Sequence, residues 1–203
     1  MNKKLFSIVA AASMIATSAF ARTDTWYVSA HGGADFPTKA KRKETGTEAK
    51  FKTGYSIGAA VGHSFDEFRF ELEVAHRNAK VKDLGGSKDV SGGLSIFSLM
   101  GNVYYDLPVM DQVDLYFGAG LGWASVSSNM KEKNTPAKID GSASVMAYQL
   151  MFGPAWNIND QWTVSLGYRF FGYTNPKLKY NGTKEKFKNN YVNSVELAVR
   201  CTF

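Results

Sequence analysis

Apolar and polar residues alternate with a period of two in eight separate runs from Thr25 to the end of the chain, the pattern of strands and not of helices. The third run is the clearest. Phe68, Phe70, Leu72 and Val74 alternate there with Arg69, Glu71, Glu73 and Ala75. The first two runs, at 25–33 and 52–63, put Trp26, Val28, Tyr55, Ile57 and Val61 on one face. A fourth run (94–107) carries Phe97, Leu99, Val103 and Tyr105, and a fifth (113–125) carries Leu115, Phe117, Leu121 and Trp123. The last three, at about 148–157, 162–170 and 194–203, set Leu150, Phe152, Trp162, Leu166, Leu197 and Val199 against smaller or polar residues.

The connections fall into two lengths. Short ones lie at 64–67, 108–112 and 158–161, and long polar ones at about 34–51, 78–93, 126–143 and 172–190. Short turns at one end and long loops at the other predict an all-β fold, an eight-stranded antiparallel up-and-down transmembrane β-barrel. The faces decide between a membrane barrel and a soluble one. The face opposite the apolar residues carries Gly58, Gly62, Gly118, Gly120, Gly122, Gly153 and Gly167, which suits a crowded interior. Trp26, Tyr105, Trp123, Trp156, Trp162 and Tyr168 lie near strand ends on the apolar face, as aromatic girdles do at a membrane interface.

The beginning of the chain reads differently. Lys3 and Lys4 precede an apolar stretch at 5–16, and Ala19-Phe20-Ala21 fits a small-x-small cleavage site. Residues 1–21 are therefore expected to be a secretory signal peptide and 22–203 the barrel domain. Cys201 is the single cysteine of the 203 residues, so no disulfide within the chain can hold an exported domain together. Barrel closure, which satisfies every strand's hydrogen bonds, supplies another means. The formal net charge is +6, and a positive balance points to anionic partners.

Within the runs, Arg69, Glu71, Glu73, Asp106, Arg169, Glu196 and Arg200 take the inward phase. Tyr104, Asn102 and Gln149 are placed to complete a hydrogen-bonded network with them. Eight-stranded barrels are just wide enough for side chains to fill, so these charges are expected to pair and plug the lumen. A selectivity-lined pore is the alternative. The first long loop holds Lys39, Lys41, Arg42 and Lys43, and the last holds Lys177, Lys179, Lys184, Lys186 and Lys188. These are the candidate polyanion-binding residues, for lipopolysaccharide phosphates or host-surface polyanions. The basic segments lack interleaved aromatic stacking platforms, which argues against nucleic acid.

No catalytic set emerges from the histidines. His31 shares a face with Ser29, His76 takes the outward phase, and His63 sits by a short turn. No nucleophile, base and orienting acid come together, metal-ligand spacing is absent, and neither metal nor cofactor is expected. The chain ends on Phe203, following Cys201, Val199 and Leu197 in the outward phase.

The segments Phe68-Arg69-Phe70-Glu71-Leu72-Glu73, Gly101-Asn102-Val103-Tyr104-Tyr105-Asp106, Tyr116-Phe117-Gly118-Ala119-Gly120-Leu121-Gly122 and Gly167-Tyr168-Arg169-Phe170 resemble the outer-membrane β-barrel superfamily. That superfamily includes opacity-type adhesins, small surface antigens and the barrel of outer membrane protein A, often labelled "porin family". The resemblance spans nearly all of 22–203 and implies an integral outer-membrane protein. It also implies that Phe203 resembles the signal read by the barrel assembly machinery. The expected function is surface display of basic loops, for adhesion or envelope structure, and not catalysis. The alternative is a small porin-like channel for ions or small solutes.

Overall fold

The computed structural model describes residues 24–38, 40–42, 48–84, 90–132, 138–174, 177–180, 183–188 and 190–203. The expected signal peptide lies outside them. Eight long strands follow one another around a ring: β1 (Thr25–Pro37), β4 (Gly54–Phe65), β5 (Phe68–Leu84), β6 (Val90–Met110), β7 (Val113–Glu132), β8 (Lys138–Asn157), β9 (Trp162–Tyr173) and β12 (Tyr191–Thr202). Every neighbour is antiparallel, and β1 pairs with β12 to close the ring. The eight-stranded antiparallel barrel expected from the alternation is the fold. Closure leaves no open edge, so the ring presents no unpaired strand to the membrane.

Two of the three short turns are tighter than the sequence indicates, while the third occupies 158–161 as expected. Asp66 and Glu67 alone separate β4 from β5, with Asp66 at φ +49°, a left-handed conformation that Asp tolerates. Pro154 sits inside β8, where the ladder loses a donor, and the register with β9 is the same on both sides of it.

The long connections differ from expectation. Most adjoining strands run on past their predicted ends, β5 to Leu84 and β7 to Glu132, whereas β4 starts at Gly54, two residues inside its predicted run. Four further strands occupy the regions read as loops: β2 (Ala40–Arg42), β3 (Glu48–Phe51), β10 (Lys177–Tyr180) and β11 (Thr183–Lys188). They pair in the order β8-β10-β11-β2-β3-β5, so the last and first long connections are joined in one sheet above the barrel.

A reversal of the apolar phase explains the misreading. Along β7, outward Leu121 and Trp123 give way to outward Ser125, Ser127 and Asn129, while the inward positions become Ala124 and Val126. In β6, outward Phe97 and Leu99 give way to Ser95 and Ser91, and the inward positions become Ile96 and Leu94. Below the reversal the barrel is apolar outside, as in lipid. Above it the barrel is apolar inside, as in water. The reversal marks the membrane's outer surface on the strand itself.

The lipid-facing belt is continuous. Phe70, Leu72, Leu99, Val103, Phe117, Leu150, Leu166 and Leu197 are all exposed. Aromatic rings pack across strands at its borders, Phe68 on Tyr105 at 5.3 Å and Tyr191 on Phe170 at 5.6 Å.

Candidate functional site

The lumen is filled in layers. Nearest the short turns, Arg69 forms a two-pronged pair with Asp106, Nε to Oδ2 at 2.6 Å and Nη2 to Oδ1 at 2.9 Å. Arg200 approaches the same carboxylate at 3.5 Å and donates to Thr163. The Arg69 guanidinium also lies 4.4 Å from the Tyr104 ring centre, a cation–π contact that offsets part of its desolvation.

One layer further, Glu71 accepts hydrogen bonds from Tyr104, Asn102, Tyr27 and Ser29 at 3.1 to 3.3 Å. The next layer is the tightest. Arg169 Nη1 donates to both Glu73 oxygens at 2.8 and 2.9 Å, and its Nε donates to Glu196 at 2.8 Å. Gln149 accepts from Arg169 and donates to Asn102, tying this layer to the one below. Glycines make room for it. A Cβ at Gly62 would run into the Tyr27 ring and one at Gly120 into the Asn102 carbonyl, so the polar side chains fill the space that the missing side chains leave.

All seven predicted lumen charges thus face inward, and six of them lie in two ion-pair groups: Arg69, Asp106 and Arg200, and Glu73, Arg169 and Glu196. Arg77 was not anticipated. It is buried against Phe171, 4.2 Å from the ring centre, and donates to Ser98. Asp35, held by Ser194 at 2.7 Å, was missed as well. Both continue the inward phase of runs that seemed to end at Ala75 and Gly33. Extending the period of two by one step would have found them.

Above the two ion-pair groups the interior gains an apolar cluster. Leu94, Ile96, Met100, Ala124, Val126, Ala147, Phe171 and Tyr173 form one buried cluster, with Phe51 and Val145 packed against it. At this level the lumen is filled by that cluster together with buried Arg77, which packs on Phe171 and lies opposite Ile96 in the register. Shaving one methyl from the cluster's centre, Ile96→Val, is expected to cost about 0.5–1.5 kcal/mol, read as a lower urea midpoint for unfolding from detergent.

A cavity of about 60 Å³ remains between the two charged layers, lined by Ser29, His31, Glu71, Tyr116 and Arg200 among others. That is space for roughly four waters. His31 Nε2 and Arg200 Nε, both buried, have no protein partner among the described residues, so water in this chamber would satisfy them. Ser29 donates to Glu71. His63 contacts Asp24 at 2.8 Å and packs edge-on against Trp26 at the other end of the strand. His31 and His63 are thus in separate settings, and among the described residues no group of histidine, cysteine and acid could hold a metal.

The basic residues of the first and last connections sit on strands. Lys41 and Arg42 lie in β2, Lys177 and Lys179 in β10, and Lys184, Lys186 and Lys188 in β11, while Lys39 and Lys43 fall outside the described residues. Asn181-Gly182, between the paired residues Tyr180 and Thr183, is the dipeptide that two-residue hairpins prefer. It was the available sign that this stretch was a hairpin. Phe203 is exposed, and its N–H donates to the Trp26 carbonyl at 2.9 Å.

The family model described as "Outer membrane protein beta-barrel domain" matches residues 7–203. The chain belongs to that family. As an outer membrane protein β-barrel domain it is an integral protein of the outer membrane, and its apolar belt is the surface that lipid covers. Its relatives include a protein named "Putative adhesin" from Rickettsia bellii (strain OSU 85-389), 29% identical over 190 residues and covering 82% of each chain. Another, from Rickettsia conorii (strain ATCC VR-613 / Malish 7), is 30% identical over 206 residues, or 90% of this chain and 89% of the relative. Among solved structures, Neisserial surface protein A superposes with a TM-score of 0.61 at 20% identity, over 88% of this chain and 97% of that one. At that identity the likeness concerns the fold.

Proposed function

We propose that this outer membrane β-barrel is a sealed display scaffold, an adhesin or envelope-surface protein whose working parts are its extracellular strands, and not an enzyme or a channel. The filled lumen carries this reading: two ion-pair groups across the barrel, closed on the outer side by the cluster around Ile96, Val126 and Phe171. A channel needs a continuous polar path, and the packed apolar cluster in the outer half, with Arg77 seated on Phe171, opposes one. The adhesin naming among rickettsial relatives supports the display half of the reading.

The partners follow from position. The apolar belt takes outer-membrane lipid and lipopolysaccharide. The β12 strand, with exposed Phe203 just after it, is the segment offered to the barrel assembly machinery. The basic extracellular strands offer a surface to anionic groups of host cells by long-range attraction.

Planar-bilayer recording of refolded protein tests the seal. No conductance steps are expected; stable steps that change with Arg69 or Glu73 substitutions would overturn it. Expression in a non-adherent host tests the display half, with binding to cultured cells expected and its absence counting against adhesion.

A further inference from the structure

The first and last long connections build one basic surface and not two. The register across β10, β11 and β2 puts Lys177 opposite Lys186, Lys179 opposite Lys184, and Lys188 opposite Lys41. Directly opposed residues in an antiparallel pair share a face, and residues two apart along a strand share it too. All six lysine positions therefore belong to a single face of a three-stranded sheet. The positions between them are mostly apolar or small, with Leu178, Tyr180, Phe187 and Ala40 broken by Glu185 and Arg42.

Like charges set directly opposite one another destabilise a strand pair. Three such pairs in succession are an arrangement that folding alone would disfavour. Acids stand at the borders only: Asp140 of β8 opposite Lys179, and Glu48 of β3 opposite Lys41. The centre of the strip has no counter-charge within the sheet register.

Height above the membrane narrows the partner. On β8 the outward face changes from Met146 to Ser144 and Ser142, with Asp140 next in phase. At about 3.3 Å per residue, Lys179 opposite Asp140 lies roughly 20 Å along the strand from Met146. Lipid phosphates sit at the edge of the apolar belt, and the outward positions there on β7 and β8 are serines. The upper pairs stand beyond them. We infer that the lysine strip formed jointly by β10, β11 and β2 docks a linear sulfated polysaccharide of an opposing cell surface. Its anionic groups repeat along the chain and can span several pairs at once.

This rests on the display reading above and is tested with refolded protein in lipopolysaccharide-free nanodiscs, with heparin as probe, by calorimetry over a salt series. The double variant Lys184→Glu, Lys186→Glu puts a carboxylate opposite Lys179 and Lys177. It is expected to weaken heparin binding by about tenfold or more while the melting temperature holds or rises, since like-charge pairs become opposite-charge pairs. The control Lys80→Gln, Lys82→Gln removes two exposed lysines of β5 outside the strip and is expected to leave affinity within about twofold. Equal losses in variant and control, salt-insensitive binding, or no heparin binding would each overturn the proposal. So would a loss seen with lipopolysaccharide vesicles but not with heparin.

The composite sheet has its own check. In a Cys201→Ser background, Phe187→Cys and Arg42→Cys occupy paired positions of β11 and β2. They are expected to cross-link on oxidation with heparin affinity retained. Failure to cross-link, or loss of affinity on locking, removes the joint strip. If cells still adhere when the heparin arm fails, the strip is wrong and the display reading stands.

Discussion

Arg169→Met is expected to destabilise the barrel by about 3–5 kcal/mol, the range for removing one partner of a buried ion pair. Arg169 holds Glu73 on one side and Glu196 on the other, and all three side chains are at most 7% exposed. Methionine keeps much of the length and apolar volume, so the loss reports charge and hydrogen bonding more than packing. Two carboxylates would remain facing each other without the guanidinium that bridges them, and Gln149 would lose its donor. The measurement is urea-induced unfolding from detergent, followed by tryptophan fluorescence and by the mobility difference between folded and unfolded barrels on gels. The triple variant Arg169→Met, Glu73→Gln, Glu196→Gln separates charge from shape. If stranded carboxylates cause the damage, the triple variant should recover a large part of the loss, because removing a whole buried ion group is often close to neutral. A single variant costing under about 1 kcal/mol would mean water reaches this layer and screens it, as at a surface pair. That outcome would also weaken the argument for a sealed lumen.

Much of this interior was legible because two physical periods coincide inside the membrane. Where lipid lies outside and a polar plug inside, Phe70, Leu72 and Val74 alternate cleanly with Arg69, Glu71 and Glu73, and period two alone assigns each face. Above the membrane the contrast inverts. Ser125 and Ser127 meet water while Ala124 and Val126 meet the core, and a reader following apolar residues on a fixed phase sees the run end at Ser125, just past Trp123. Arg77 and Asp35 were lost at the same boundary, although neither had left the inward phase.

The basic connections failed for another reason. Charged segments with few apolar residues read as solvated loops, and only pairing between distant segments, β11 with β2, makes them a sheet. Such long-range pairing has no local signature; Asn181-Gly182 marks only the hairpin of β10 with β11. The pairs within each ion group were likewise not deducible in advance. That Arg169 would choose Glu73, 96 residues away, depends on strand stagger around the ring, which alternation does not encode.

Leu72→Arg tests the same boundary from the outside and is expected to cost about 2–4 kcal/mol, the value for a cation on the lipid face near the bilayer midplane. Leu72 is 55% exposed and lies between Val61 of β4 and Gly101 of β6, midway along the apolar belt. Its side chain touches no lumen group, so the substitution leaves the ion pairs intact and reports lipid contact alone. The same change at Ser127, outward on β7 above the reversal and flanked by Ser95 and Ser142, is expected to cost about 0–1 kcal/mol. Refolding into lipid vesicles, with denaturant titration of each variant, gives both numbers. A steep difference between the two sites places the membrane surface between Trp123 and Ser125 on β7. Equal costs would show that the outward face meets one environment along its whole length. In that case the phase reversal would reflect strand packing and not the edge of a bilayer, and the height assigned to the lysine strip would lose its reference point.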